Sequence, residues 1–178
     1  LRSWSSSTEP LIEGIGIFSE RITIMNKEIV FTFNGRKISA SSSDTILQVA
    51  KREGIEIPHL CYSEASGYRP AGNCRTCMVE IEGERVLASS CNRSPTHGMV
   101  VSSTSSRANQ ARSVVMELLL ADQPSGSEAH DPDSELWQWA HRMNQTESRF
   151  PRENTPTSDS SHPAMLVNLD ACIHCTRC

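Results

Sequence analysis

The sequence predicts an α+β fold, a small sheet with a helix packed across it, followed by a helical segment and a short cysteine-rich stretch. Three observations predict it. Glu28-Ile-Val-Phe-Thr-Phe33 and Arg36-Lys-Ile-Ser-Ala40 flank Asn34-Gly35, a strong signal for a two-residue hairpin. A short amphipathic run lies between the cap candidates Ser41-Ser-Ser-Asp-Thr45 and Gly54. Two further β-like runs, Met78 to Glu82 and Arg85 to Ala88, flank Gly83-Glu84.

Each element has a local reason. In the first strand Ile29, Phe31 and Phe33 share one face, because strand side chains alternate. Ile46, Leu47 and Ala50 line one side of the predicted helix, and Gly54 stands where a helix C-terminal glycine belongs. The second hairpin follows a loop that holds Cys61, Cys74 and Cys77, and Cys91 comes just after it. From Arg107 the period changes: Ala111, Val114, Val115, Leu118 and Leu119 recur at helical spacing up to Asp122. Asp131-Pro132-Asp133 predicts a second helix start with proline at its first position, burying Leu136, Trp137 and Ala140. Residues 146–162 are polar, contain Pro151 and Pro156, and are expected to be a linker. The expected divisions are a disordered tail over 1–20, a first domain over 21–104, a helical segment over 105–145, the linker, and a terminal domain over 163–178. No internal repeat is present.

Composition narrows the function. The 178 residues carry 17 Lys plus Arg against 21 Asp plus Glu, a formal charge of -4. That balance gives no electrostatic reason to expect nucleic acid or an anionic membrane as partner. The longest apolar candidate, Val114 to Ala121, is interrupted by Glu117, far short of the roughly 20 residues of a membrane-spanning helix. The seven cysteines are an odd number in two groups, whereas disulfide frameworks favour even counts. Leu1 to Glu20 is Ser-rich and lacks the basic start and apolar core of a signal peptide. A reduced, cytoplasmic setting is expected, with cysteines as metal ligands. The chain starts at Leu1 and stops at Cys178 inside a cysteine motif, so a fragment of a longer protein is expected.

In the first group, twelve residues separate Cys61 from Cys74-Arg-Thr-Cys77, and thirteen more lead to Cys91. A [2Fe–2S] cluster takes four thiolates. The glycine-containing run Pro70-Ala-Gly-Asn-Cys-Arg-Thr-Cys77 lets backbone N–H groups turn toward sulfide and thiolate. A four-cysteine zinc site is the alternative, although zinc ribbons show two close pairs and Cys61 and Cys91 are each single. Disulfides are the third reading.

Ile57-Pro-His-Leu-Cys61 and Ala71-Gly-Asn-Cys-Arg-Thr-Cys-Met-Val-Glu-Ile-Glu-Gly83 resemble the N-terminal ferredoxin domain of several electron-transfer subunits. These are the large iron–sulfur subunit of complex I, the small diaphorase subunit of NAD-reducing hydrogenases, and the catalytic subunit of NAD-dependent formate dehydrogenases. The resemblance implies a β-grasp fold and makes Cys61, Cys74, Cys77 and Cys91 the ligands of a [2Fe–2S] cluster. The spacing differs from plant-type ferredoxins, whose first two cysteines are four residues apart.

In that superfamily a His-Pro-Leu-Asp-Cys run usually follows the next helix, and its histidine and three cysteines bind a [4Fe–4S] cluster. Here Leu118-Leu-Leu-Ala-Asp-Gln-Pro-Ser-Gly126 stands at that place, with Gln123 at the histidine and no cysteine between Cys91 and Cys172. That cluster is expected to be absent, the helix being kept as packing. His130 and His141 have no cysteine or carboxylate constellation in the sequence around them and are assigned surface or capping roles. His59 is assigned packing, or a hydrogen bond near Cys61; His97 and His162 support no assignment.

His130-Asp-Pro-Asp-Ser-Glu-Leu-Trp-Gln-Trp-Ala140 and Ser161-His-Pro-Ala-Met165, with the run from Val167 to Cys175, are similar to the α subunit of NAD-linked, molybdenum- or tungsten-dependent formate dehydrogenases. Cys172-Ile-His-Cys175-Thr-Arg-Cys178 has the opening spacing of a bacterial-type ferredoxin motif. It would supply three ligands of a [4Fe–4S] cluster whose fourth lies beyond this chain. Half of a zinc site, or His174 as a ligand, is the alternative.

The expected function is an iron–sulfur relay in an oxidoreductase. It would carry electrons between a formate-oxidising molybdopterin centre in missing sequence and flavin/NAD-binding diaphorase subunits. A complex I or hydrogenase diaphorase subunit is one alternative, and a zinc-stabilised interaction module is another. No Gly-x-Gly-x-x-Gly loop or paired-carboxylate pocket is evident, so no catalytic residue is assigned within the chain.

Overall fold

The computed structural model describes residues 28–65, 67–68, 70–152 and 155–177; the expected tail over 1–20 and Cys178 lie outside the described residues. The first hairpin pairs β1 (Glu28–Phe33) with β2 (Arg36–Ser41), Phe31 opposite Ile38 and Phe33 opposite Arg36. Its turn places Asn34 at φ 48° and Gly35 at φ 79°, the two positive values a type I′ turn requires. Phe31 and Phe33 are buried on the predicted face and Ile29 is half-buried.

Helix α1 (Ile46–Arg52) begins at Thr45, whose side chain accepts from the Gln48 amide while Gln48 caps Thr45 in return. This capping box satisfies two otherwise orphaned donors. At the other end Gly54, at φ 69°, donates to Lys51 O and Ile55 to Ala50 O, the paired bonds of a Schellman stop. Ile46, Leu47, Val49 and Ala50 are buried in the main core with Phe31, Phe33, Ile57, Val79 and Val101.

Strands β3 (Met78–Ile81), β4 (Ala88–Ser89) and β5 (Val100–Ser102) complete a five-stranded mixed sheet in the order β2-β1-β5-β3-β4. The second hairpin differs from the expectation. Its return strand is Ala88–Ser89, with Met78 opposite Ser89, and Val86 is 62% exposed. Ile81 pairs with Val101 of β5 on the opposite edge of β3 from β4, and β3 meets its hairpin partner only through Met78 and Val79. β5 was not expected. It has three residues and runs parallel to β1, Phe33 opposite Val101, a long-range pairing with no local signature.

Helix α2 (Ser106–Ala121) forms as expected, capped by the Ser105 side chain on the Ala108 amide. Its buried row is Ala108, Arg112, Met116, Glu117 and Leu120, not the predicted Ala111, Val114, Val115, Leu118 and Leu119; Leu118 is 48% exposed. The helix carries apolar residues on more than one side, so the period alone did not orient it. Arg112 and Glu117 are buried with polar partners: Arg112 donates to Ser103 O, and Glu117 accepts from the Arg149 amide.

Helix α3 (Glu135–Arg142) starts after Ser134, later than the Asp-Pro-Asp signal, which forms a turn closed by Ser134 N to Asp131 O. Leu136, Trp137 and Ala140 are its buried side. With Met116, Leu120, Leu60, Cys61 and Cys74 they make a second core. The expected linker contains a strand: β6 (Asp159–His162) pairs with β7 (Met165–Val167).

Candidate metal centre

The loop between α1 and β3 brings three cysteines to the boundary of the two cores, and the turn after β4 brings the fourth. Cys61, Cys74, Cys77 and Cys91 are all buried and none forms a disulfide. Cys77 and Cys91 belong to the sheet core, Cys61 and Cys74 to the second core.

The loop conformation depends on backbone that few residues adopt. Gly72 has φ 68°, and a Cβ there would lie 2.9 Å from Asn92 Nδ2, so both space and conformation select glycine. Arg75, exposed between the paired cysteines, also has positive φ, 57°. Such turns direct successive N–H groups inward, toward anions.

The turn that carries Cys91 is fastened to the helix. Ile46 donates to Arg93 O at 2.8 Å and Leu47 to Ser90 O at 2.9 Å, which satisfies two first-turn amides that no helical carbonyl can reach. The Ser90 hydroxyl and amide both donate to Cys77 O, at 2.8 and 3.1 Å.

The four thiols influence one another's titration in sequence: Cys74 with Cys61, Cys61 with Cys91, Cys91 with Cys77. Among the described residues no three His, Cys, Asp or Glu side chains are grouped to hold one metal ion. Donors surround the sulfurs. Cys61 Sγ accepts from the Cys74 and Cys91 thiols and from the Cys74 and Asn73 amides, which holds it well below the usual thiol range against the opposing effect of burial. Cys74 Sγ is met by the Cys61 amide at 3.4 Å and the Thr76 hydroxyl at 3.2 Å. As donor to Cys61, and by burial, Cys74 is pushed up. Cys77 is lowered by the Cys91 thiol, with the Cys91 amide and Ser90 hydroxyl adding to it; Cys91, donor to both Cys61 and Cys77, is raised. Two of the four thiols thus already favour the thiolate, the form that binds metal.

The terminal segment docks beside this site. Cys172 and Cys175 are half-buried, and Ile173 and Cys175 pack on the second core. The Tyr68 hydroxyl donates to Cys61 O and reaches Cys175 O at 3.5 Å, and Arg177 donates to Leu60 O at 3.1 Å. Tyr68, Thr76, Ser90 and Arg112 were missed in the sequence. Ser90 and Thr76 are adjacent to cysteines, and Arg112 falls on the i, i+4 row of Ala108 and Met116, so both signals were present; Tyr68 has none.

Gln123 is buried, 7% exposed, and its Nε2 has no hydrogen-bond partner among the described residues. His130 departs from the expectation of no carboxylate nearby. It pairs with Asp170 at 2.8 Å, a residue too distant in sequence to anticipate. His59 bonds Ile57 O through Nδ1 at 2.8 Å and packs against Tyr62 and Trp139.

Comparison with known proteins places this geometry. Residues 26–106 match the family model of a 2Fe-2S iron-sulfur cluster binding domain. The chain is 33% identical over 156 residues to the mitochondrial NADH-ubiquinone oxidoreductase 78 kDa subunit of Candida albicans, covering 85% of this chain and 21% of that one. It is 36% identical over 156 residues to the NADP-reducing hydrogenase subunit HndD of Solidesulfovibrio fructosivorans, covering 84% and 27%. A third relative is an NADH-quinone oxidoreductase subunit of Rickettsia bellii, 34% identical over 153 residues, with 84% and 22% covered. The chain therefore spans about a fifth to a quarter of the length of these curated relatives. A crystal structure of NAD+-reducing [NiFe]-hydrogenase in the H2-reduced state superposes with TM-score 0.71 at 29% identity, over 83% of this chain and 62% of that one. Residues 26–106 are thus similar to a 2Fe-2S iron-sulfur cluster binding domain, and most of the chain is similar to parts of NADH-quinone oxidoreductase and NAD(P)-reducing hydrogenase subunits.

Proposed function

We propose that the chain is an iron–sulfur electron-transfer segment of a larger oxidoreductase subunit, with Cys61, Cys74, Cys77 and Cys91 as the thiolate ligands of a [2Fe–2S] group. The observation that supports it most is four buried, disulfide-free cysteines carried by one loop and one turn, with the Cys61 amide and the Thr76 hydroxyl on Cys74 Sγ. A two-iron centre takes four thiolates, two per iron. Bound there, the group supplies reversible one-electron reduction. The protein's own residues hold it in place, bury it, and set the hydrogen bonds to sulfur that tune its potential.

Cys172, Cys175 and Cys178 we assign to a second, [4Fe–4S], group whose fourth ligand lies outside this chain. Tyr68 and Arg177 would keep its approach against Leu60 and Cys61. Flavin/NAD-binding diaphorase subunits are the proposed partners. The finer reading, electrons arriving from formate at a molybdopterin centre elsewhere in the parent protein, rests on the likeness of residues 130–140 and 161–175 to formate dehydrogenase α subunits. A second reading is a complex I or hydrogenase diaphorase subunit, favoured by the names of the relatives above. No described helix is long and apolar enough to cross a membrane; a cytoplasmic setting is part of the proposal.

The test is anaerobic mixing of the iron-loaded chain with NADH and a flavin-containing diaphorase. Bleaching of its visible absorption only when the flavoprotein is present is expected. An iron-loaded chain that stays oxidised while the flavin turns over would count against the relay.

A further inference from the structure

Among the described residues, Arg112 is the buried cation. Its side chain leaves helix α2, which packs on β3 immediately after Cys77, and it is 6% exposed. Its hydrogen bonds go to Ser103 O at 2.5 Å and to the Asn109 side-chain oxygen. Both acceptors are neutral, and no carboxylate pairs with Arg112 among the described residues. Ser103 is itself fixed by two bonds to Asn34, 2.8 and 2.9 Å, so the guanidinium is anchored to the end of β5 and cannot swing to solvent freely. A buried charge without a counter-ion is costly and implies an anionic neighbour that offsets it.

We propose that this neighbour is the cysteine site and that Arg112 raises its reduction potential. The inference rests on the [2Fe–2S] reading above. Two ferric ions, two sulfides and four thiolates sum to a charge of about −2, and the one electron taken from a donor makes that about −3. A fixed positive charge in a poorly polarisable interior favours the more negative state. Arg112 stands on the same buried row of α2 as Met116, one turn along, and Met116 packs with Cys61 and Cys74. Arg112 is thus a positioning residue, placing a fixed charge behind the cysteine site.

The test is an EPR-monitored redox titration of the anaerobically loaded chain with five sequences: wild type, Arg112→Gln, Arg112→Lys, Asn109→Asp and Gln110→Asp. Gln keeps a donor for Ser103 O without charge. Lys keeps the charge. Asp at 109 gives the unaltered guanidinium the counter-ion it lacks at an exposed position, and gives up the bond from the Asn109 amide to Thr104 O. Midpoints shifted to lower potential in Arg112→Gln and Asn109→Asp, with Arg112→Lys near wild type and EPR line shapes unchanged, are expected. If Arg112→Gln fails to fold, Asn109→Asp decides by a downward shift larger than that of Gln110→Asp, an exposed new carboxylate on the same helix without Arg112 as partner; equal shifts overturn the role of Arg112. Equal midpoints in wild type and Asn109→Asp would overturn the role of Arg112 and leave the cluster reading standing. A wild type that takes up no iron would overturn both.

Discussion

Leu47 donates its backbone N–H to Ser90 O at 2.9 Å, and through that bond the first turn of α1 holds the turn that carries Cys91. The Ser90 hydroxyl continues the link to Cys77 O at 2.8 Å. A helix start, usually exposed to water, is here part of the scaffold that fixes two of the four thiols. Ser90→Ala removes a buried bond and leaves the Cys77 carbonyl with the Ser90 amide alone. A loss of about 1 kcal/mol is expected, measured by denaturant unfolding of the cluster-free chain, with iron retained less tightly after loading.

Gly72→Ala carries a larger penalty. The new Cβ meets Asn92 Nδ2 at 2.9 Å in a left-handed conformation, which itself costs roughly 1–2 kcal/mol for an L-residue. The melting temperature is expected to fall. Gly35→Ala, which meets no atom within 4 Å, is expected to fall by less, showing the backbone cost alone.

Tyr68→Phe is expected to loosen the terminal segment without touching the sheet. The hydroxyl that it removes is the one reaching both Cys61 O and Cys175 O. Hydrogen exchange at residues 172–177 should speed up while the amides of β1 and β5 keep their protection. Unchanged exchange in the terminal segment would show that Arg177 and the Ile173 contacts suffice.

Asp44 gives a pH dependence outside the thiol site. The Ser41 amide chiefly, and Arg52 as well, hold its carboxyl below the ordinary 3.8 although burial opposes them. A depressed folded pKa contributes stability above the unfolded value and loses it as pH falls through the folded one. The stability difference between wild type and Asp44→Asn should therefore be constant above about pH 5 and shrink below 3.8, followed by urea unfolding across that range.

The parts of the fold legible in the sequence were those decided locally. Asn34-Gly35 fixed the hairpin register through its own φ values, and Thr45, Gln48 and Gly54 bounded α1 through bonds within a few residues. β5 was invisible because Val100 and Val101 pair with Thr32 and Phe33 of β1, far back in the chain. The face of α2 was misjudged because Arg112 and Glu117, polar by type, are buried where Ser103 and Arg149 meet them. At the site the cysteine spacing was enough to bring Cys61, Cys74, Cys77 and Cys91 into one candidate set. The Asn73 and Cys74 amides that surround them carry no sequence signature, and although Thr76 and Ser90 stand beside cysteines, the partners of their hydroxyls are set by the fold. The hydrogen bond of His130 with Asp170 was hidden for the same reason as β5.

The most direct measurement is metal analysis with visible and EPR spectra of the anaerobically reconstituted chain, wild type beside Cys77→Ser. About two irons per chain at the first site, a red-brown colour, and a rhombic signal that appears on reduction and is lost or strongly altered in Cys77→Ser are expected. One colourless zinc per chain, retained through anaerobic reconstitution with iron and sulfide, would contradict the electron-transfer reading and leave a structural metal module.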